Sequence, residues 1–129
     1  MEKIIGSVHV ELPDNMNARE IHSLTRSITE DIYVNYGIIL TIGIYASNTA
    51  NGMFSEMKGK LSDLISAYPD ILQMHGFYVD TDRMLVSFDL IIDFKSEQKT
   101  EICDNIKEKM KQTYSEYDFT VILDSDLSD

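Results

Sequence analysis

The first third of the chain changes its hydrophobic period twice. Residues 4–12 alternate between apolar and polar side chains, which predicts a half-buried strand. Residues 13–17 interrupt this pattern and offer Asp14, Asn15 and Asn17 as candidate helix caps, and apolar residues then recur every three or four positions until Gly37. That period predicts an amphipathic helix, and the β-branched stretch 39–45 after it predicts a second strand.

The remaining two thirds repeat the same kinds of pattern in another order. A helical stripe begins at Gly52 and stops at Pro69, because proline cannot continue the helical hydrogen bonds. Segments 74–80 and 84–93 alternate and are joined by a short acidic turn, which predicts a β-hairpin. A third amphipathic helix around residue 106 and a final strand at 119–123 complete the chain.

The predicted order is therefore β-α-β-α-β-β-α-β, which is typical of an α+β sandwich with one sheet and helices on a single face. Two segments in this order resemble each other. SVHVEL (7–12) and LVSFDL (85–90) each precede an acidic loop, an amphipathic helix and another strand. This similarity predicts a duplicated β-α-β unit, although two ordinary β-α-β units would also explain it.

Composition narrows the classes of protein that are possible. The chain has 129 residues, with 11 basic and 22 acidic side chains and a net charge of −11. Such a field repels phosphate backbones and anionic lipids, so we expect no nucleic-acid partner. Cys103 is the single cysteine, which excludes an intrachain disulfide and a multi-cysteine zinc site. No stretch has the apolar length of a transmembrane helix, and the N-terminus does not have the pattern of a signal peptide.

Sequence motifs of catalysis are missing. The chain contains no G-x-S-x-G, P-loop, G-x-G-x-x-G or H-E-x-x-H motif. Cys103 lies at a core position of its predicted helix, where a cysteine is usually a small buried hydrophobe rather than a nucleophile. We therefore expect that the protein is not an enzyme.

Imidazole and carboxylate groups are the chemistry that remains, and both are ligands for zinc, manganese or iron. Asp124 and Asp126 are two residues apart on an extended end, so they point to the same side. The simplest interpretation of His75 is a hydrogen-bonded core histidine, because it alternates in step with the apolar residues after it. The candidate metal ligands are His9, His22, His75, Asp124 and Asp126.

Three stretches of the sequence resemble a known family. AYPDILQMHGFYVDTDRMLVSFDLIID (67–93), a helix and FTVILDSD (119–126) resemble the cytoplasmic C-terminal domain of cation diffusion facilitator (cation efflux) transporters. GSVHVELPDNMNAREIH (6–22) is similar to the middle of the same domain. The resemblance implies a partial β-α-β copy in residues 1–48 and a full α-β-β-α-β copy in 53–129, packed as one globular unit. It also implies that transmembrane helices and the missing start of the first copy precede Met1.

The same resemblance implies a fold, partners and a site. The fold is a ferredoxin-like, metallochaperone-like two-layer sandwich at the cytoplasmic face of the cell membrane. The domain forms homodimers and binds a divalent metal (Zn²⁺, Mn²⁺ or Fe²⁺) that favours transport. His9, His22 and His75 match histidine positions of the family, and Asp124 and Asp126 lie at its terminal His-x-Asp.

Departures from the family pattern leave alternatives open. Gly76 replaces an aspartate, Asp124 and Ser87 replace histidines, and Gly43 and Tyr45 stand at the terminal pair of the first copy. Neither copy keeps a full ligand set, so the copies either combine their ligands or have lost metal binding. The alternatives to a metal-regulated domain are a structural module without metal and a free-standing small-molecule sensor.

Overall fold

A computed structural model describes residues 3–49 and 52–124, which contain five strands and three helices. Within these residues no helix is both long and apolar enough to cross a membrane. The elements in chain order are β1 (Ile4–Pro13), α1 (Ala18–Tyr36), β2 (Ile38–Ser47), α2 (Gly52–Ile65), β3 (Ile71–Asp80), β4 (Leu85–Ile92), α3 (Lys99–Thr113) and β5 (Asp118–Asp124).

The α+β class and the order β-α-β-α-β-β-α-β are confirmed, with an arrangement consistent with a ferredoxin-like two-layer sandwich. The expectation of a single sheet is corrected. The strands form a two-stranded sheet, β1-β2, and a three-stranded sheet, β3-β4-β5. The chain accordingly divides into two compact units, residues 1–49 and 50–129. Alternation along a strand identifies the face that is buried but not the neighbouring strand, so it did not reveal this division.

The first unit is a parallel β-α-β unit in which α1 connects β1 to β2. Both ends of α1 carry sequence-encoded caps. The Asn17 side chain accepts a hydrogen bond from the Glu20 backbone N–H, and the Glu20 carboxylate accepts one from the Asn17 N–H, forming a capping box. At the other end Gly37 adopts φ 69°, a left-handed conformation that glycine tolerates best.

Side chains in the first unit are poorly buried. Among residues 3–49, Leu12 is the single buried hydrophobic residue, and no residue of α1 is buried. The helical stripe through Leu24 was expected to face a core, yet Leu24 remains 40% exposed. The pattern correctly predicted which side of α1 is apolar, but nothing in this unit covers that side completely.

The second unit has the hydrophobic core of the chain. Strand β3 pairs antiparallel with β4, and β4 pairs parallel with β5. The helices pack on this sheet, with α2 against β3 and α3 against β5, and they also contact each other. The most deeply buried side chains are Phe88, Met57, Leu61, Leu90, Ile106, Val79 and Val86.

Both units use the same parallel crossover. Ser7 lies opposite Thr41 across β1 and β2, and Leu85 lies opposite Asp118 across β4 and β5. These partners are 34 and 33 residues apart, so the two crossovers differ by one residue. In both pairs the first strand places apolar residues at every second position of one face. This common geometry supports the proposal that the units arose by duplication.

Candidate functional site

A bulge in β3 sets the direction of His75. The pairing with β4 shifts between His75 and Tyr78, and Gly76 within the shift has φ 67°. The extra residue lets Phe77 stay buried while His75 lies opposite Asp89, on the face away from the core. The prediction of a core histidine was therefore wrong, because simple alternation does not anticipate a bulge.

The imidazole of His75 is held by a neighbour on its own strand. Its Nε2 lies 2.6 Å from Oε1 of Gln73, two residues earlier. Because an amide oxygen only accepts hydrogen bonds, Nε2 donates in this arrangement, and in the neutral ring Nδ1 then carries the lone pair. A neutral imidazole with one nitrogen fixed in this way can still offer the other nitrogen to a metal.

Carboxylates share this outward face of the second sheet. Asp89 is opposite His75 on the central strand, and Asp124 ends β5 opposite Ile91. Asp124 is thus two strands and one side-chain row away from His75, about 12 Å between Cα atoms at ordinary sheet spacings. Both carboxylates already take part in interactions within the chain. Asp126, the other terminal candidate, lies outside the described residues.

In the first unit, His9 occupies a different environment. Its ring stacks on Tyr45, with 4.8 Å between centroids and an angle of 17° between the planes. The ring lies over Gly43, where an added Cβ would stand 2.6 Å from Nε2. Gly43 and Tyr45, which depart from the family pattern, therefore form the surface on which His9 rests.

His22 is exposed on α1, so the candidate ligands of the first unit are on different elements. Throughout residues 3–49 and 52–124, no three His, Cys, Asp or Glu side chains form a group that could hold a metal ion. The structure brings together a smaller set of potential ligands. His75 and Asp89 lie opposite each other on paired strands, and Asp124 lies on the same face of the sheet.

Sequence reasoning did not identify two neighbours of His75. Gln73 is two residues away on the same strand, and Asp89 lies in the segment LVSFDL, whose alternation already placed it opposite to the core residues. The hairpin register needed to pair Asp89 with His75 depends on the bulge at Gly76. A glycine inside a predicted strand is the one signal that could have indicated it.

Cys103 is buried on α3, as its helical position predicted. Burial raises the pKa of its thiol; Asp104 raises it further, whereas Lys107 acts in the opposite direction. A catalytic cysteine needs the reverse, a stabilised thiolate in an accessible electropositive setting. The environment of Cys103 is typical of a structural residue.

The raised pKa predicts how Cys103 reacts and how it affects stability. Because the fold favours the neutral thiol, its contribution to stability is complete below the pKa of the unfolded state and disappears as pH rises through the higher folded pKa. Iodoacetamide should modify native protein at pH 8 at least about tenfold more slowly than urea-unfolded protein, as measured by intact mass. Equal rates would show that the thiol is accessible.

An open groove accompanies the last strand of each unit. The groove of the second unit has a volume of about 430 Å³ and lies between α3 and the start of β5. That of the first unit has about 400 Å³ and combines an apolar floor with an Arg26–Glu30 ion pair at 3.1 Å. Its lining residues are Arg26, Thr29, Glu30, Tyr33, Val34, Ile38, Ile39 and Leu40.

The chain gives no significant match to protein-family models, to curated proteins or to solved structures.

Proposed function

We propose that the chain is a non-catalytic cytoplasmic regulatory and dimerisation domain of a divalent metal cation efflux transporter. The observation that supports this most is the outward face of β3-β4-β5. There a histidine that keeps a nitrogen lone pair lies opposite one aspartate and shares its face with another. The α-β-β-α-β order of residues 52–124 agrees with the order that the family resemblance implies.

In this proposal the second unit supplies His75 and Asp89 as a pair of metal ligands, and Asp124 on the same face adds negative charge nearby. Imidazole and carboxylate suit Zn²⁺ and Mn²⁺. The ligands of one protomer leave coordination positions that water or a second protomer can fill. The net charge of −11 raises the local concentration of cations around all of these groups.

Regulation then follows from linkage. A metal that binds one arrangement of two domains better than another shifts the population towards the first by its difference in affinity. A metal that binds only one arrangement stabilises it by about 2.7 kcal/mol at a concentration of 100 times Kd. The domain would pass that preference to transmembrane helices of the same transporter at the cytoplasmic face of the membrane.

A structural module without metal is the second candidate. The incompletely covered first unit favours it, since exposed apolar side chains such as Ile4 (55%) and Val34 (79%) suit protein contacts. The third candidate, a small-molecule sensor, requires a ligand pocket, and the grooves along β2 and β5 are open to solvent.

Metal titration separates these candidates. ZnCl₂ or MnCl₂ added to chelator-treated protein should raise the Tm by several degrees and increase the dimer fraction. His75→Ala should remove at least half of the Tm shift, because it deletes the imidazole of the proposed site. The measurements are thermal unfolding by circular dichroism and sedimentation velocity.

His22→Ala is the matched control, since it removes another imidazole from an exposed position in the first unit. A loss confined to His75→Ala supports a site on the second sheet, whereas equal losses in both variants would contradict a site at His75. A Tm and a mass that ignore both metals and chelator would contradict metal regulation and favour the structural module.

A further inference from the structure

The side of the first unit that carries β1 is less completely covered than the side of the second unit that carries the equivalent strand, β4. Within residues 3–49, α1 packs chiefly on β2, and the apolar row of β1 is covered only towards its end, where Val10 is half-buried and Leu12 is buried. Ile4 and Val8 in that row are 55% and 39% exposed, and the outer edge of β1 pairs with no described strand. Edge strands of stable proteins are normally blocked by charge, proline or a covering element. Apart from Pro13 at its end, this row of β1 has no such protection.

The second unit shows what fills the equivalent place. There α3 packs on β5, much as α1 packs on β2. The strand that corresponds to β1 is β4, and it is completed by β3 along its edge and by α2 beside α3. These two elements contribute Phe54, Met57, Leu61, Phe77 and Val79 to the buried core. With 14 and 10 residues, they are also as large as one side of a standard protein interface, about 20–30 residues.

Strand spacing decides between two possible occupants. Two copies joined edge to edge through β1 would place their α1 helices three strand spacings apart, about 14 Å. Packed helices are 8–10 Å apart, so that arrangement leaves a gap over both β1 strands. A helix–strand segment places its helix two spacings from α1, about 9.6 Å, which is the distance of direct packing. The geometry therefore favours a helix–strand segment over a second copy.

We propose that the edge and apolar row of β1 are the docking site for a helix–strand segment from outside residues 1–129. Its strand pairs antiparallel with β1, and its amphipathic helix packs beside α1 over Ile4, Val8 and Val10. The α2–β3 segment within residues 1–129 is already engaged on β4, so it does not fill this place. This inference does not depend on the metal proposal.

Hydrogen exchange with a defined probe tests the docking site. The probe is a synthetic peptide of residues 52–80, the α2–β3 segment that fills the equivalent place in the second unit. On the full chain alone, the outer-edge amides of 3–13, which do not bond to β2, should exchange rapidly in a monomer. The peptide should slow their exchange at least about tenfold at concentrations near 0.1–1 mM, an affinity typical of segments that fold on binding.

Variants of the peptide leave the folding of the chain untouched and provide the specificity control. Peptide Val79→Asp places a charge on the side that packs on the core in the second unit, and it should bind at least about tenfold more weakly. Peptide Gln73→Asp adds the same charge at an exposed position and should retain binding.

Each other result would overturn the proposal. A dimer whose outer-edge amides of 3–13 are protected without peptide would identify a second copy as the occupant. A monomer with the same protection would show that the edge is not open. Rapid exchange that the peptide does not slow, or that a scrambled peptide slows equally, would exclude a helix–strand ligand.

Discussion

Phe88→Ala should lower the free energy of unfolding of the second unit by about 3–5 kcal/mol. Phe88 is fully buried at the centre of β4, where α2 and α3 cover the sheet. Truncation to alanine removes the apolar contacts of the ring and leaves a cavity that this dense core can fill only in part. Urea denaturation followed by circular dichroism measures the loss, which is a large share of the stability of a small domain.

Phe94→Ala is the control for that variant. Phe94 follows β4 closely in sequence but remains 65% exposed, so the same truncation should change stability by no more than about 0.5 kcal/mol. Similar losses in both variants would mean that the face of β4 carrying Phe88 is not the core of the unit.

The second large effect concerns Gly76, whose φ of 67° allows the bulge in β3. Gly76→Val should destabilise the unit by about 2–3 kcal/mol, because a β-branched residue is strongly disfavoured in this region. Relief of the strain requires a register change, and a slip by one residue moves side chains such as His75 to the other face. Denaturation and the NMR chemical shifts of the His75 ring measure the two consequences.

Gly76→Asn separates backbone strain from the presence of any side chain. Asparagine enters the left-handed region more readily than other non-glycine residues, so it should retain the bulge at a cost of about 1 kcal/mol. Native His75 shifts in Gly76→Asn and altered shifts in Gly76→Val are expected. Native shifts and stability in both variants would show that the bulge does not need glycine.

Much of the fold follows from the sequence because hydrophobic period and chain breaks are local signals. The alternation of Val86, Phe88 and Leu90 identified the buried face of β4. Gly37 marked the end of α1, and its N-cap is Asn17, one of three candidates. Met84 was expected to continue that strand, but it adopts φ 50° in the turn before β4. A positive φ at methionine is imposed by hairpin closure and has no sequence signal.

Which strands pair with each other was harder to predict than where the strands lie in the sequence. Whether β2 joins β3 in one sheet depends on contacts between residues far apart in sequence, and the local pattern at 38–47 is the same in either case. The candidate site has the same difficulty. Residue types identified His75 and Asp124, but the neighbour Asp89 emerged only from the register across the bulge. His9 was recognised as a polar-face residue, whereas its stacking on Tyr45 was not foreseen.

The caps of α1 have a consequence for how the first unit loses its structure. Its 19 residues carry a capping box, the Arg26–Glu30 pair and a glycine stop, none of which depends on the sheet. Local bonds of this kind favour the helix by a few tenths of a kcal/mol each, whether or not the sheet is formed. If β1 separates from β2, we therefore expect the helical far-ultraviolet dichroism signal to fall less than the strand signal.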